Sequence, residues 1–234
     1  MATLLHKDLG RLDYFAALAL QEKIVELKRH GTFGDVLLSV EHPHVYTLGR
    51  AGKTSNVLAP LEVPVIRSSR GGDVTYHGPG QLVVYPLIDL RSKLRRDVHR
   101  YLRNLEMSAT STLMDFGLEG TRRPPYTGIW VGDRKIAAIG IAVRRGITFH
   151  GLALNVNTHL SYFNRIIPCG LSWADVTSMA RELGREQNLV EVRDRFLNHF
   201  AELFGYSKIE KIEGGEQQIE YCDLPSSILH PQMR

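Results

Sequence analysis

The sequence predicts an α+β fold in which a mixed, largely antiparallel sheet is packed by helices. Apolar segments of strand length alternate with segments of helical periodicity along the chain. The middle apolar segments are joined by tight turns, which favours antiparallel neighbours over a doubly wound parallel sheet. We therefore expect a single layered domain with helices on one face of the sheet.

Three regions have helical patterns. The first is residues 11–30, where apolar side chains recur at roughly helical spacing and Gly31 follows as a stop. The second is residues 97–117, which begin with Asp97 at the N-cap position and end at Gly117. Residues 172–204 are predicted to be mostly helical, with a break near Gly184.

The strands are predicted from apolar runs that end at turn residues. They are "DVLLSVEH", "VPVIRSS", "QLVVYPLIDL", "TGIWVG", "KIAAIGIAVRRG" and "TFHGLALNVN". The fourth and fifth runs flank Asp133-Arg134 and read as a β-hairpin, and the sixth follows a turn at Arg145-Gly146.

Length and composition indicate one domain. The chain has 234 residues, is 43% hydrophobic and has no clear linker, so it can bury a sizeable core. We predict one catalytic domain over residues 1–206. Residues 207–234 are more polar and loosely patterned, and we predict a C-terminal tail or peripheral segment there. The net charge of +4 is mild and compatible with an acidic partner or an anionic group.

Cysteine usage and the N-terminus indicate the cytoplasm. Cys169 and Cys222 are the only cysteines, too few for a disulfide framework and without CxxC spacing. The apolar stretch near the N-terminus is too short for a signal peptide, and no run of about 18 apolar residues predicts a membrane span. We expect no bound metal and no cofactor.

A glycine-rich segment, "RGGDVTYHGPGQ" at residues 70–81, is predicted to form a binding wall. Glycine lets the backbone approach a ligand closely, and the segment also contains Arg70, Tyr76 and His77. A plain hairpin loop is the alternative. The segment lacks both G-x-x-x-x-G-K-[ST] and G-x-G-x-x-G, so nucleotide binding is disfavoured.

Three other positions could carry chemistry. Lys135 opens a strand rich in small residues, where it is either a solvated end or a functional group beside an apolar tunnel. His150 could be a core histidine, a general base or a ligand. Cys169 lies in "IIPCGL" between a proline and a glycine, and a thiol there is inert packing unless a neighbouring cation or base generates the thiolate.

Together these stretches resemble the octanoyltransferase family, also called the lipoate-protein ligase B family. "RGGDVTYHGPGQ", "GDRKIAAIG", "FHGLALNVN" and "IIPCGL" stand in the family's order and spacing, from about residue 30 to residue 172. The resemblance implies the catalytic fold of biotin and lipoate protein ligases. It also implies transfer of octanoyl from octanoyl-acyl carrier protein, through a cysteine thioester, to a lysine of lipoyl domains in 2-oxoacid dehydrogenases or glycine-cleavage H protein.

The resemblance also implies roles for residues. Cys169 matches the nucleophile, and Lys135 matches the residue that activates it and acts as acid and base. The substrate-binding walls match Arg70, Gly71, Gly72, Asp73, Val74, Thr75, Tyr76, His77, Ala138, Ile139, Gly140, Gly151, Leu152 and Ala153. Ala137 is a further candidate for the acyl tunnel. Arg50, Arg144 and Arg145 are candidates for contact with an acidic carrier protein, and backbone N–H groups near Gly78 or Leu171 for an oxyanion site. The role of His77 stays open between the thioester and the acceptor.

Four other functions remain as alternatives. An ATP-dependent lipoate or biotin ligase shares the fold type but needs no cysteine, and a lipoyl-domain amidotransferase would also use cysteine. A papain-like hydrolase would combine Cys169 with His77 or His150 and Asn155, but the chain order of these residues is not the papain order. A nucleic-acid-binding module is disfavoured because the basic residues are dispersed.

Overall fold

Two sheets frame the molecule in a computed structural model that describes residues 2–170 and 173–212. The strands are β1 Thr3–Arg11, β2 Val36–Glu41, β3 Val45–Leu48, β4 Val65–Arg67, β5 Val74–His77, β6 Gln81–Leu87, β7 Thr121–Arg123, β8 Tyr126–Val131, β9 Arg134–Arg144, β10 Ile147–Asn155, β11 Asp175–Val176 and β12 Lys208–Lys211. The large sheet has the order β12-β1-β2-β6-β10-β9-β8-β7, with β11 beside β9. A small sheet has the order β4-β3-β5.

The pairing confirms a mixed, largely antiparallel sheet. The central strands β2, β6, β10, β9 and β8 are all antiparallel neighbours. The parallel pairs are those of β1 with β2 and β12 at one side of the sheet, and that of β11 with the first residues of β9. β12 extends the sheet to Lys211, past the predicted domain end at residue 206. Residues 213–234, with Cys222, lie outside the described residues, so their assignment as a tail stays a prediction.

In the part of the chain that the structure describes, five α-helices flank the sheets. They are α1 Tyr14–Arg29, α2 Leu90–Lys93, α3 Val98–Asp115, α4 Met179–Leu183 and α5 Leu189–Leu203. A side chain that accepts a backbone N–H bond begins each of them: Asp13 for α1, Asp89 for α2, Asp97 for α3, Ser178 for α4 and Asn188 for α5. Gly184, in the left-handed conformation, ends α4 at the predicted break.

Helices cover both faces of the large sheet, not one face as the sequence pattern suggested. Alternate residues of a strand point to opposite faces. On β2, Val36 and Leu38 pack in a cluster with α1 residues such as Ile24. Leu37 packs in the other cluster, with α3 and α5 residues such as Phe200. The central strands are therefore buried on both sides, which is why they read as continuous apolar runs.

The small sheet was only partly predicted, since the sequence pattern indicated β4 but not β3 or β5. β5 falls inside the glycine-rich segment, where four paired residues lie between glycines. Two 3₁₀ segments, Leu160–Arg165 and Pro168–Gly170, follow β10. Among the described residues, no helix combines the length and apolarity that a membrane span requires.

Candidate active site

The structure brings Lys135 and Cys169 together. Lys135 lies at the start of β9 and Cys169 in the 3₁₀ turn Pro168–Gly170. The Lys135 Nζ donates a hydrogen bond to the Cys169 Sγ at 3.2 Å, and another to the Thr127 carbonyl oxygen at 2.9 Å. Lys135 is only 6% exposed. The ammonium is thus held from two sides and directed at the sulfur.

The β8–β9 hairpin leaves space for this lysine through a glycine. Gly128 has φ +128°, a backbone conformation that L side chains rarely adopt. A Cβ atom there would lie 2.5 Å from the Ala137 carbonyl oxygen and 2.6 Å from the Lys135 Cε. The register of the hairpin also shifts between Ile129 and Trp130, next to this point. A glycine is therefore required where the lysine crosses the neighbouring strand.

The turn that carries Cys169 is fixed by a chain of hydrogen bonds that starts at Asp73. The Asp73 carboxylate accepts from the Lys53 N–H and from the Asn56 side-chain amide. The Asn56 carbonyl oxygen in turn accepts from the Ile167 N–H at 2.8 Å. Cys169 itself has φ +56°, in the left-handed region. Such strain in a non-glycine residue persists only where its surroundings impose it, and it is found most often at functional sites.

Cys169 opens onto a partly open cavity between the two sheets. Four residues of β9 and β10 supply an apolar wall: Ala138, Ile139, Leu152 and Ala153. A second, smaller cavity also borders the thiol and is lined by Lys135 and Ala137. Cys169, Thr75, Ala138 and Ala153 line both. The thiol therefore lies at the junction of two spaces, and the lysine faces only the smaller one.

The structure places most of the predicted wall residues around the larger cavity. They are Arg70, Gly72, Asp73, Thr75, His77, Ala138, Ile139, Gly140, Gly151, Leu152 and Ala153. Gly71, Val74 and Tyr76 do not line it. The Gly71 N–H bonds to the Ile141 carbonyl oxygen, Val74 is buried in the core of the small sheet, and the Tyr76 hydroxyl bonds to His44 Nδ1 at 2.6 Å.

Arg70 brings a buried positive charge to the same cavity. Its guanidinium donates to the Thr47 hydroxyl, the Thr47 carbonyl oxygen and the Gly71 carbonyl oxygen, all of them neutral. No ion pair of Arg70 with a carboxylate is found in residues 2–170 and 173–212. Burial lowers the pKa of Arg70, but arginine keeps its proton in proteins. This charge therefore favours an anion nearby, whether a thiolate or a developing oxyanion.

Both nitrogens of His77 are occupied by protein partners. The Nδ1–H donates to the Gln81 amide oxygen at 2.8 Å, and the Thr47 hydroxyl donates to Nε2 at 3.2 Å. This assignment follows from Thr47, whose oxygen already accepts from Arg70. Burial, with smaller effects from His42 and Arg70, lowers the pKa of His77 well below its usual value. His77 is therefore a neutral positioning group with no nitrogen left for a substrate.

His150 is a buried, neutral wall residue. Burial lowers its pKa to about 3, and Nε2 hydrogen-bonds Ser69 Oγ at 3.0 Å. Its backbone has φ +57°, and its N–H donates to the Gln21 side chain on α1. Since it does not reach Cys169 by any described hydrogen bond, the papain-like arrangement with Cys169 is not formed. Asn155 instead bonds Gln81 and the Thr177 carbonyl oxygen.

The glycines of the wall are explained by close packing more than by open space. A Cβ on Gly140 would lie 2.9 Å from the Gly71 carbonyl oxygen, because the loop before β5 lies directly on β9. A Cβ on Gly151 would lie 2.1 Å from the Val84 carbonyl oxygen of the neighbouring strand. These two glycines are therefore required by close backbone contacts, in which a larger residue would not fit.

Three further residues line the larger cavity without having been candidates from the sequence. They are Tyr14, Val83 and Tyr85. Tyr14 is the first residue of α1, whose apolar pattern already accounts for it as core. Val83 and Tyr85 belong to a buried apolar run. No local signal separates these residues from ordinary core residues.

The remaining candidates lie away from the thiol or outside the described residues. Arg50 and Arg145 are exposed, and Arg144 pairs with Glu22. Leu171 lies outside the described residues. No group of three or more potential metal ligands occurs within residues 2–170 and 173–212.

A thiol beside an ammonium, next to an apolar cavity and a buried guanidinium, is suited to acyl transfer. The sulfur can attack a carbonyl carbon, the ammonium can protonate a leaving group, and the cavity can hold an acyl chain. The two cations can stabilise the negative charge of a tetrahedral intermediate.

Comparison with known proteins agrees with this chemistry. Residues 13–201 match the family model described as the lipoyl protein ligase A/B catalytic domain. An octanoyltransferase of Solibacter usitatus (strain Ellin6076) is 51% identical over 209 residues, which cover 87% of this chain and 94% of the relative.

Solved structures confirm the fold. The crystal structure of lipoate-protein ligase A bound with ATP has a TM-score of 0.74 at 18% identity and covers 92% of this chain and 90% of its own. The apo structure of biotin protein ligase from Aquifex aeolicus has a TM-score of 0.53 at 12% identity, covering 88% of this chain and 70% of its own. At these identities the likeness concerns the fold alone.

Proposed function

We propose that this chain, which belongs to the octanoyltransferase family, transfers an octanoyl group from octanoyl-acyl carrier protein to a lysine of lipoyl domains through a thioester on Cys169. The observation that carries the proposal is the 3.2 Å hydrogen bond from Lys135 Nζ to Cys169 Sγ, at the mouth of an apolar cavity. The acceptors would be lipoyl domains of 2-oxoacid dehydrogenases and glycine-cleavage H protein.

In the first half-reaction the Cys169 thiolate attacks the thioester carbonyl of the donor. A carbon–sulfur bond forms to Cys169, and the bond to the pantetheine sulfur breaks. The departing thiolate takes a proton from the Lys135 ammonium, which leaves a neutral amine at Lys135. One thioester replaces another, so this step is nearly balanced in free energy.

In the second half-reaction the acceptor lysine attacks the acyl-enzyme. Lys135, now neutral, takes a proton from the attacking amine as the amide bond forms. Cys169 leaves as a thiolate, and the ammonium–thiolate pair is restored. Conversion of a thioester to an amide drives the sequence forward, and the scheme uses no ATP and no metal.

The larger cavity supports an acyl chain as the transferred group. Burial of an eight-carbon chain at about 0.8 kcal/mol per methylene contributes roughly 5–6 kcal/mol toward holding the intermediate. Arg70, at the same cavity, would stabilise the tetrahedral oxyanion. His77 would act indirectly, by holding the Thr47 hydroxyl that accepts from Arg70. A cytoplasmic location and a catalytic domain of residues 1–206 remain predictions from the sequence.

Intact-mass spectrometry after incubation with octanoyl-acyl carrier protein, without ATP, tests the proposal. We expect a gain equal to one octanoyl group that hydroxylamine removes and that peptide mapping assigns to Cys169. The adduct should disappear when a lipoyl domain is added, as the domain gains the same mass. Cys169→Ala should form no adduct, whereas Cys222→Ala, the matched thiol control, should behave as the unmodified chain.

Other outcomes would contradict the proposal. Transfer that requires ATP and free acid and survives Cys169→Ala would identify a ligase. Faster acylation by an octanoylated lipoyl domain than by octanoyl-acyl carrier protein would identify an amidotransferase.

A further inference from the structure

A buried carboxylate is connected to Lys135 through one peptide group. Glu106 belongs to α3, is fully buried and pairs with Arg103. Its Oε1 accepts a hydrogen bond from the Gly128 N–H at 3.4 Å. The carbonyl of the same peptide group, Thr127 C=O, accepts from Lys135 Nζ at 2.9 Å. A single peptide unit therefore stands between the carboxylate and the ammonium.

We propose that Glu106 is a positioning residue for Lys135, which acts through the Thr127–Gly128 peptide to hold the ammonium charged and directed at Cys169. The inference rests on the proposed function. The two hydrogen bonds polarise the peptide in the same sense, with its N–H toward the anion and its C=O toward the cation. Hydrogen bonds in such a chain strengthen one another.

Placement and charge support this role. A buried carboxylate is costly unless it is paired, and Arg103 contacts the Oε2 atom while Arg122 lies 3.9 Å from it. The Oε1 atom is left for the Gly128 N–H. Burial raises the pKa of Glu106, while Gly128, Arg103, Arg122 and Lys135 all act to lower it. The carboxylate thus lies within electrostatic reach of the lysine although the two side chains do not touch.

The other charged groups around the lysine and the thiol do not replace Glu106. On the packed elements they include Arg70, Asp73, Arg103, Arg122, Arg134, Asp175 and Glu182, of which Glu182 pairs with Arg134. Asp73 bonds the Asn56 and Lys53 segment. Asp175 is largely exposed and pairs with Arg181. Among the described carboxylates, only Glu106 connects to Lys135 through one peptide.

Glu106→Gln tests the inference, because glutamine keeps the shape and an acceptor for Gly128 but removes the charge. We expect the alkaline limb of the pH profile for acyl-enzyme formation to move about one pH unit lower. Such a shift corresponds to a tenfold lower ratio of ammonium to neutral amine at Lys135 at a given pH. The ammonium needed to protonate the leaving thiolate would then be lost at lower pH. Glu106→Asp, which retains the charge, should restore part of the shift.

A thiolate titration separates electrostatic from structural effects and needs no acyl transfer. In a Cys222→Ser background Cys169 is the only thiol, so its ultraviolet absorbance reports one ionisation. Loss of the Glu106 charge should move this titration to lower pH, because the thiolate loses a nearby anion. Displacement of Lys135 would move it to higher pH. Glu41→Gln is the matched control, since Glu41 also accepts a glycine N–H, that of Gly80.

Each outcome decides the inference. If Glu106→Gln leaves the alkaline limb of the pH profile unchanged, or moves the Cys169 thiolate titration to higher pH, Glu106 has only a structural role and the inference is wrong. An aspartate variant as impaired as the glutamine variant would lead to the same conclusion. If the unmodified chain forms no acyl-enzyme but its thiolate titration still shifts downward in Glu106→Gln, the coupling stands and the proposed function fails.

Discussion

Gly128→Ala should disable the site by displacing Lys135 without touching the thiol. The added Cβ atom would lie 2.6 Å from the Lys135 Cε and 3.2 Å from its Nζ. It would also lie 2.5 Å from the Ala137 carbonyl oxygen, which belongs to the sheet and cannot rotate away. The Lys135 side chain can move aside, whereas relief of the contact with Ala137 requires a shift of the β8 backbone.

The expected magnitude follows from these distances. To reach ordinary contact at 3.4 Å, the Cε must withdraw by about 0.8 Å, and β8 must separate from Ala137 by a similar amount. A misplacement of about 1 Å at a catalytic group can cost about a hundredfold in rate. The backbone at φ +128° adds about 1–3 kcal/mol of strain for a non-glycine residue.

Two measurements check the prediction. The rate of octanoyl adduct formation on Cys169, followed by quenched-flow mass spectrometry, should fall about a hundredfold. Thermal unfolding should shift downward by several degrees, at about 2–4 °C for each kcal/mol in a chain of this size. The loss in rate should persist at temperatures where the variant is fully folded.

Gly132→Ala is the control in the same hairpin. Gly132 also has positive φ, +55°, but nothing lies within 4 Å of its added Cβ. This variant should lose about 1 kcal/mol of stability and keep its rate. Equal loss of rate in both variants, or an unimpaired Gly128→Ala, would refute the idea that the clash with Lys135 decides activity.

Three further predictions concern the lysine, the cavity wall and two buried histidines. Lys135→Met, similar in length but without charge, should slow acyl-enzyme formation by about 10²–10⁴-fold with little loss of stability; a rate near that of the unmodified chain would exclude a general acid at this position. Ala153→Leu should shorten the accepted chain, with octanoyl transfer weakened by about 0.8 kcal/mol for each methylene excluded and hexanoyl transfer less affected; equal effects on both donors would contradict a chain-holding cavity. Burial lowers the pKa of both His6 and His42 to about 4. The unfolded chain therefore binds more protons between pH 6.5 and pH 4, and the free energy of unfolding should fall as pH falls through this range, by up to about 3 kcal/mol for each histidine. Urea denaturation checks this, and His42→Gln should flatten the dependence whereas replacement of the exposed His99 should not.

The architecture was largely predictable because the central strands are long, apolar and separated by turn residues. β1 and β3 escaped prediction for physical reasons. β1 is an edge-side strand with charged residues such as Lys7 and Asp8, so it lacks a continuous apolar run. β3 has four residues and depends on its pairing with β4 and β5. Strands this short are defined by partners distant in sequence.

In the candidate site, too, the individual motifs could be predicted from the sequence, whereas the contacts between residues distant in sequence could not. Cys169 and Lys135 could be singled out from their motifs, but their contact depends on the fold that joins β9 to the turn after β10. Glu106 gave no signal, since a glutamate in a helix is usually solvated. Its burial becomes visible only when α3 packs beside the β8–β9 hairpin.

Gly128 and Gly140 are better understood as points of close contact between protein segments than as ligand contacts. Gly140 allows the Arg70–Gly71 loop to lie on β9, and that contact places the Arg70 guanidinium at the cavity. Gly128 allows Lys135 to cross β8. Each glycine thus allows a cation, Arg70 or Lys135, to lie in a buried region from which water is largely excluded. The low local dielectric there strengthens the electrostatic effect of both cations on the Cys169 sulfur. Any substitution that separates the two sheets by a few tenths of an ångström should therefore reduce acyl transfer before it reduces stability.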